Sequence, residues 1–388
     1  MKRGTFQPAR RLAGIEKSAI RQFFDRAPAG SINLGLGEPD LPTPEVVRQA
    51  AVRAILQEPN GYTTHAGLAA LRERVAGEYV HTGGGADRVI VTAGSQEALY
   101  LALTTLVDEG DEVLLPDPGF VAYPAIVRMA GGRPVFYRLP AARGFALDLD
   151  DFRRKVSAHT RVVVCISPSN PTGRALGPGD VRGMADALGG TGAIVVSDEI
   201  YRELYFGDER PPSIAEYYPD TVVVSGLSKS MSMTGWRLGW LWGPAEVVRS
   251  ALVLHGYVTT CASTISQKAA LAAWTPEGAA ARVAARLTFR SRRDHLLGLL
   301  RGRLGLPAVE PDGAFYTMVG VAAYGPSLEV AEALLRHGVI TVPGGTFGSE
   351  AEGFLRVSFC AEESALTEAV RRIGEALAQL QPRQEQPV

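Results

Sequence analysis

The sequence predicts an α/β protein whose larger part is a mostly parallel sheet with helices on both faces. Strand and helix patterns alternate between residues 88 and 242. The strand segments, such as Val162-Val163-Val164-Cys165-Ile166, are near-continuous apolar runs, which is typical of strands buried on both faces. With 388 residues, of which 46% are hydrophobic, the chain is long and apolar enough for two domains with a large core.

The first elements predicted along the chain are helical. An amphipathic helix is expected from about Leu12 to Arg26, followed by a Gly/Pro-rich loop over Ile32–Pro44. Two further helices follow, Pro44–Leu56, with proline in its first turn, and Leu68–Tyr79.

The central part supplies the alternating elements. The predicted strands are Arg88–Thr92, Glu112–Pro116, Pro134–Arg138, Arg161–Ser167, Ala193–Ser197, Thr221–Ser225 and Leu238–Trp242. The predicted helices between them are Gln96–Val107, Val121–Met129 and Gly179–Leu188.

The last part of the chain predicts a smaller α+β unit. Residues 245–301 have a helical pattern, of which residues 269–300 include the link to this unit. Strands are expected near Gly313–Val319, Val339–Val342 and Phe354–Phe359, with a closing helix from Glu363 and a disordered tail over Gln381–Val388.

Composition excludes several classes of function. A net charge of −1 gives no basis for a nucleic-acid or membrane partner. The three cysteines (Cys165, Cys261 and Cys360) lie far apart and the six histidines form no tight pair, so we expect neither disulfides nor a metal site. No run of 18 apolar residues occurs, and we therefore expect a cytoplasmic protein.

Lys229 is the first candidate for chemistry. The chain has five lysines against 35 arginines, and Lys229 follows the predicted strand end Thr221–Val224 among small residues. Eight residues later Arg237 lies in a Gly-Trp-Arg-Leu-Gly turn suited to binding an anion. The alternative is a solvated loop lysine, but this setting favours a Schiff-base nucleophile.

Three other segments predict charged sites. Ser95 and Gln96 begin a helix directly after a strand, where free N–H groups bind anions, although small residues also simply cap helices. Asp198 ends a buried strand and needs a partner there, unless it caps a helix starting at Glu199. Arg356 lies in an apolar strand and needs an anion, which an internal salt bridge would also provide.

These motifs carry a family resemblance. The segment Ser225–Gly239 resembles, position for position, the lysine signature of the class I/II aminotransferases, pyridoxal-phosphate enzymes of fold type I that are aspartate aminotransferase-like. Gly61–Gly67, Thr92–Leu99, Pro116–Pro124, Ser167–Gly173, Val195–Tyr201 and Gly353–Phe359 are similar to further family motifs in the same order. The resemblance runs from about Ile32 to Glu363.

The resemblance implies a set of cofactor ligands for pyridoxal 5'-phosphate. Lys229 would be the Schiff-base lysine and proton shuttle, and Asp198 would pair with the protonated pyridine nitrogen. Asn170, whose backbone the following proline restricts, and Tyr201 would bind the phenolic oxygen, and Phe120 would stack on the ring, with Tyr123 as a less suitable neighbour. The implied phosphate ligands are Ser95, Gln96, Ser228, Arg237 and, from the second subunit of a homodimer, Tyr62.

The resemblance also implies the substrate contacts and the domain plan. Arg356 and Asn170 would hold the substrate α-carboxylate, with the backbone of Gly37 lining the pocket. The N-terminal segment 1–45 would pack with the small C-terminal domain 286–388, beside a large cofactor domain 46–285. The apolar or aromatic rim (Ile15, Leu36, Tyr62, Phe120) favours neutral or aromatic substrates. No second arginine can be assigned to a side-chain carboxylate.

One position departs from the family pattern. Many members carry a phosphate-binding serine three residues before the lysine, where this chain has Gly226. Ser228 or Ser225 would substitute, or the remaining phosphate ligands would suffice.

The expected activity is an aminotransferase that moves an amino group between an L-amino acid and a 2-oxo acid in ping-pong half-reactions. A β-eliminating cysteine-S-conjugate lyase or a cyclopropane-forming synthase would use the same lysine motif. A cofactor-binding transcription regulator is disfavoured because only about 30 residues precede Ile32.

Overall fold

A computed structural model describes residues 9–12, 15, 23–79 and 83–380. Most of the predicted first helix and the tail from Gln381 lie outside these residues. The strands are β1 Ile32–Asn33, β2 Val89–Thr92, β3 Glu112–Asp117, β4 Arg133–Arg138, β5 Thr160–Ile166, β6 Ile194–Asp198, β7 Thr221–Gly226, β8 Gly239–Trp242, β9 Tyr316–Gly320, β10 Val339–Ile340, β11 Val342–Pro343 and β12 Phe354–Ser358. The α-helices are Glu45–Gln57, Ala69–Gly77, Ser95–Leu106, Ala122–Met129, Leu149–Lys155, Pro178–Leu188, Ala245–Val258, Thr264–Ala270, Pro276–Leu304, Ser327–Arg336 and Glu363–Leu380.

The large sheet has seven strands in the order β2-β8-β7-β6-β5-β3-β4. All neighbours are parallel except β8, which is antiparallel to both β7 and β2. On β5, Val162 and Val164 pack on one face while Val163 and Cys165 pack on the other. Burial on both faces explains the continuous apolar runs, and the predicted mostly parallel α/β fold is confirmed.

The smaller part combines both ends of the described chain. The strands β11, β12 and β9 form an antiparallel sheet, and β1 pairs in parallel with β10, with Ile32 opposite Val339. Ile32 and Asn33 of the N-terminal segment are therefore hydrogen-bonded to the C-terminal unit. The boundaries 1–45, 46–285 and 286–388 stay a prediction.

The structure corrects two details of the predicted elements. The single strand expected over Val339–Val342 is wrong: Thr341 separates β10, which pairs with β1, from β11, which pairs with β12. The chain passes from one sheet to another within three residues, which an apolar pattern does not show. The helices Leu149–Lys155 and Ser327–Arg336 were not predicted.

The topology brings five chain segments to one edge of the large sheet. Strands β2, β3, β5, β6 and β7 all point the same way, so their carboxyl ends meet at this edge. Crevices outside the carboxyl ends of parallel strands are the usual ligand sites of open α/β sheets. Within the part of the chain that the structure describes, no helix has the length and apolar character needed to span a bilayer.

Candidate active site

A cavity of about 280 Å³ lies at this edge of the sheet. All but one of the predicted site residues line it; the exception is Tyr62. The predicted residues in its wall are Gly37, Ser95, Gln96, Phe120, Asn170, Asp198, Tyr201, Ser228, Lys229, Arg237 and Arg356.

Lys229 enters the cavity three residues after the end of β7. Its Nζ donates a hydrogen bond to the carbonyl oxygen of Gly37 at 2.8 Å. Burial of the ammonium lowers the pKa of Lys229 to about 8. About a tenth of the amine is therefore in the neutral, nucleophilic form at pH 7, far more than for a lysine with an ordinary pKa. The alternative of a solvated loop lysine is excluded.

Asp198 is the last residue of β6 and is buried. One carboxylate oxygen accepts a hydrogen bond from the Tyr123 hydroxyl at 2.9 Å, and the other accepts the N–H of Ile200 at 3.2 Å. Burial nevertheless raises the pKa of Asp198 to about 6. The chain forms a turn after Asp198 and no helix begins at Glu199, so the helix-cap alternative is wrong.

Arg356 lies in the middle of β12, with 1% of its surface exposed. Its Nη1 donates to Asn170 Oδ1 at 2.8 Å and its Nη2 donates to the carbonyl of Gly35, while Nε has no partner among the described residues. No ion pair to a carboxylate forms within the described ranges, which removes the internal salt bridge as an explanation. A buried guanidinium held only by neutral acceptors at a cavity wall is suited to bind an anionic ligand.

The anion site predicted at Ser95 and Gln96 falls at the start of the helix Ser95–Leu106. Its N-cap residue, Gly94, has φ +87° and provides no side-chain cap, so the first N–H groups stay available. A Cβ on Gly94 would lie 2.3 Å from Nη2 of Arg237, so only glycine permits this approach. Arg237 is held by the carbonyl of Thr234 at 2.9 Å and lines the same cavity. The helix start and the guanidinium thus lie in the wall of the same cavity.

Sequence reasoning missed two tyrosines. Tyr123 was considered only as a neighbour of the stacking ring, yet it is fully buried and bonds Asp198. Tyr316 lines the cavity, and its hydroxyl lies 2.9 Å from that of Tyr201. The guanidinium carbon of Arg356 lies 4.4 Å from the centre of the Tyr316 ring. In the sequence, a tyrosine in an apolar segment looks the same whether it packs in the core or contacts a site residue.

Comparison with known proteins identifies the family. The sequence matches the family described as aminotransferase class I and II over residues 29–373. The chain belongs to the class I and II aminotransferases. It is therefore a transaminase, of a family that depends on pyridoxal phosphate, and the findings do not support the lyase alternative.

Individual relatives of this aminotransferase cover nearly its full length. It is 35% identical to an aspartate aminotransferase of Pyrococcus horikoshii, over 95% of this chain and 97% of the relative. It is 34% identical to aromatic-amino-acid aminotransferase 2 of Thermococcus litoralis, over 95% and 97%. The solved structure of aspartate aminotransferase from Thermus thermophilus with maleate superposes with a TM-score of 0.90 at 34% identity, covering 96% of this chain and all of that one.

The structure gives a reason for glycine at position 226 in this aminotransferase. A Cβ there would lie 2.9 Å from the carbonyl oxygen of Leu238, which is too close without a backbone shift. Of the two substitutes considered, Ser228 lines the cavity, whereas the Ser225 hydroxyl donates to the carbonyl of Glu199 at 3.1 Å. Ser228 is thus the serine placed to bind an anion in this cavity.

Tyr62 and Ile15 lie apart from the cavity of their own chain. Tyr62 is 88% exposed, and neither residue is part of the cavity wall. Of the predicted apolar rim, Leu36 and Phe120 line the cavity.

Proposed function

We propose that this aminotransferase binds pyridoxal 5'-phosphate in the cavity, with Lys229 as the covalent attachment and Asp198 facing the ring nitrogen. The observation that carries the proposal is that one cavity contains a partly buried amine, a buried carboxylate and a helix start with an arginine. These are the complements of an aldehyde, a basic ring nitrogen and a phosphate, so the donor set fits the cofactor. Within the part of the chain that the structure describes, the Asp198 carboxylate has hydrogen bonds only from neutral donors.

The phosphate ligands would be the N–H groups of Ser95 and Gln96, with Ser228 and Arg237. Asn170 and Tyr201 would bind the phenolic oxygen, and Phe120 would cover the ring. Because Asn170 Oδ1 already accepts from Arg356, its amide N–H₂ is the group directed to a ligand oxygen. When bound, the cofactor supplies an electron sink for the charge that develops at the substrate Cα.

The side chains of this chain account for the remaining steps. Arg356 and Asn170 orient the substrate by its α-carboxylate, with two parallel hydrogen bonds from the guanidinium. Lys229 Nζ, neutral in part because of burial, would take the proton from Cα and, as the resulting ammonium, give that proton to the cofactor carbon within the same half-reaction. The opposite half-reaction would run these two transfers in reverse. The carbonyl of Gly37, which accepts from Nζ, defines where the amine rests between these transfers.

The substrate side chain is expected to be neutral or aromatic. The cations in the cavity wall are Lys229, Arg237 and Arg356, and each already has a role toward the cofactor or the α-carboxylate. The rim residues Leu36 and Phe120 are apolar. Relatives include proteins described as acting on aspartate and on aromatic amino acids, so those descriptions do not decide the preference.

The proposed assembly is a cytoplasmic homodimer in which Tyr62 reaches the phosphate in the partner's cavity. Support comes from the exposure of Tyr62, at 88%, and of Tyr257, at 90%, since large aromatic side chains this exposed favour an interface. The three cysteines are free, which fits a reducing compartment.

Substitution of the lysine tests the proposal. Lys229→Ala is expected to abolish transamination while the protein still takes up the cofactor, because the phosphate, ring and nitrogen contacts remain. Lys155→Ala, which removes an exposed lysine at a helix end, is the matched control and should leave turnover unchanged. The measurement is keto-acid formation together with the absorbance of bound cofactor, and normal turnover of Lys229→Ala would disprove the assignment.

A further inference from the structure

We propose that Tyr123 is a positioning residue for the cofactor ring: its hydroxyl holds the Asp198 carboxylate in place while leaving the negative charge free for the ring nitrogen. This inference rests on the proposed function, since it assigns Asp198 to that nitrogen.

The geometry fixes the orientation of the carboxylate. The Tyr123 hydroxyl donates to Oδ2 at 2.9 Å, and the N–H of Ile200 donates to Oδ1 at 3.2 Å. With one donor on each oxygen, the carboxylate plane cannot rotate without breaking a hydrogen bond. Tyr123 is the side-chain donor to Asp198 among the described residues, so no other side chain there would replace it.

The chemistry of the donor matters as much as its position. A lysine or arginine at this place would neutralise Asp198 and compete with a protonated ring nitrogen. A phenol forms a hydrogen bond that favours the ionised carboxylate without supplying a compensating positive charge. Burial raises the pKa of Tyr123 well above its ordinary value, so the phenol keeps its proton and stays a donor.

The same short segment supplies a second contact to the cofactor. Phe120, which lines the cavity, meets Tyr123 edge to face with ring centres 5.6 Å apart. Tyr123 is the second residue of the helix Ala122–Met129, and its ring is fully buried. The ring that covers the pyridine face and the hydroxyl that orients its carboxylate partner are thus held in one rigid unit.

A pair of ligands separates this role from simple packing. The full chain, freed of cofactor, is titrated with pyridoxal phosphate and with its 1-deaza analogue, in which C–H replaces the ring nitrogen. Both ligands carry the aldehyde and the phosphate, so contributions from Lys229 and the phosphate site cancel in the ratio of their dissociation constants. The matched control is Tyr137→Phe, which removes another buried hydroxyl, bonded to the carbonyl of Val164 at 3.0 Å.

We expect Tyr123→Phe to weaken pyridoxal phosphate binding about tenfold, because without the phenol the Asp198 carboxylate is less ionised and is free to turn away from the ring nitrogen. Binding of the analogue should change less than about twofold, and Tyr137→Phe should leave the ratio at the wild-type value. In an Asp198→Asn background, Tyr123→Phe should have no further effect on the ratio.

Two results would overturn the inference. If Tyr123→Phe lost the same affinity for both ligands, Tyr123 would be a packing residue. If it bound both ligands as tightly as the wild type does, the Tyr123 hydroxyl would not be needed to orient Asp198. In both cases the wild-type protein would still prefer pyridoxal phosphate to the analogue. A wild-type protein without that preference would instead refute the assignment of Asp198 in the proposed function.

Discussion

Replacement of Arg356 by methionine should separate activity from stability. Arg356 and Arg292 are both buried, at 1% and 7% exposure, but among the described residues only Arg292 of these two has a carboxylate partner, Asp40 at 2.5 Å. If Arg356 binds the substrate carboxylate and does not stabilise the fold, Arg356→Met should remove substrate binding without destabilising the cofactor-free protein. Arg292→Met, which removes an internal ion pair, should do the opposite.

The magnitudes follow from the contacts. Two charge-assisted hydrogen bonds to a substrate carboxylate are worth about 1.5–3 kcal/mol each, so kcat/KM should fall about 10²–10⁴-fold in Arg356→Met. Burying the unpaired guanidinium of Arg356 costs several kcal/mol in desolvation. Its hydrogen bonds to Asn170 and Gly35 and its contact with the Tyr316 ring stabilise the folded protein by roughly the same amount. The stability of the cofactor-free protein should therefore stay within about 1 kcal/mol of wild type or rise.

For Arg292→Met, the cofactor-free protein should lose about 1–2 kcal/mol of folding stability. This lies between the values for exposed and for buried ion pairs, because the Asp40 side chain is 34% exposed. The assays are steady-state kinetics, cofactor titration and the melting temperature of the cofactor-free chain. A melting temperature of Arg356→Met that falls as far as that of Arg292→Met would refute the reasoning, because Arg356 would then be a structural cation.

Three further predictions concern the same cavity. Because burial lowers the pKa of Lys229 to about 8, the rate at which the cofactor-free chain forms its covalent bond to pyridoxal phosphate, followed by absorbance, should rise with pH and level off above about 8; a rise continuing to pH 10 would contradict this. Burial raises the pKa of Asp198 to about 6, above the value of about 3.9 for an unfolded chain, so the folded state binds the extra proton and loses stability as pH rises through this window. The melting temperature of cofactor-free Asp198→Asn, relative to that of the wild type, should therefore increase between pH 4 and pH 6 and stay constant above pH 6. A difference that is the same at every pH would contradict the raised pKa. Gly37→Ala should reduce kcat/KM, because its Cβ would lie 1.7 Å from the Tyr316 hydroxyl, and should be less harmful in a Tyr316→Phe background; equal losses in both backgrounds would exclude this contact as the cause.

Most of the large sheet could be predicted from the sequence, because each central strand is buried on both faces and is therefore a continuous apolar run. The two helices it did not reveal are short: Leu149–Lys155 is mostly charged, and Ser327–Arg336 follows a Gly-Pro pair that reads as a loop. The break at Thr341 depends on pairing with distant strands, which no local pattern records.

The site was predictable where a residue type is costly in its setting. A lysine, an aspartate and an arginine beside or within apolar strands each require a ligand or a partner, and Lys229, Asp198 and Arg356 all line the cavity. Tyr123 and Tyr316 carry no such cost, because a buried tyrosine is common and needs only one hydrogen-bond partner. Their roles become visible only when the tertiary structure shows that those partners are Asp198 and Tyr201.

The pKa shifts of Lys229, Asp198 and Arg356 share one physical cause and point to one conclusion. Burial lowers the pKa of Lys229 and of Arg356 and raises that of Asp198, so in each case the surroundings make the charged form less stable than it is in water. A core selected for stability alone would pair these charges with one another or replace them by apolar side chains. Here Asp198 and Arg356 are held by neutral groups instead, and the charges that would relieve them are a ring N–H and a carboxylate. The cavity-lining residues of this aminotransferase are therefore best explained as complements of cofactor and substrate, with stability supplied by the apolar strands behind them.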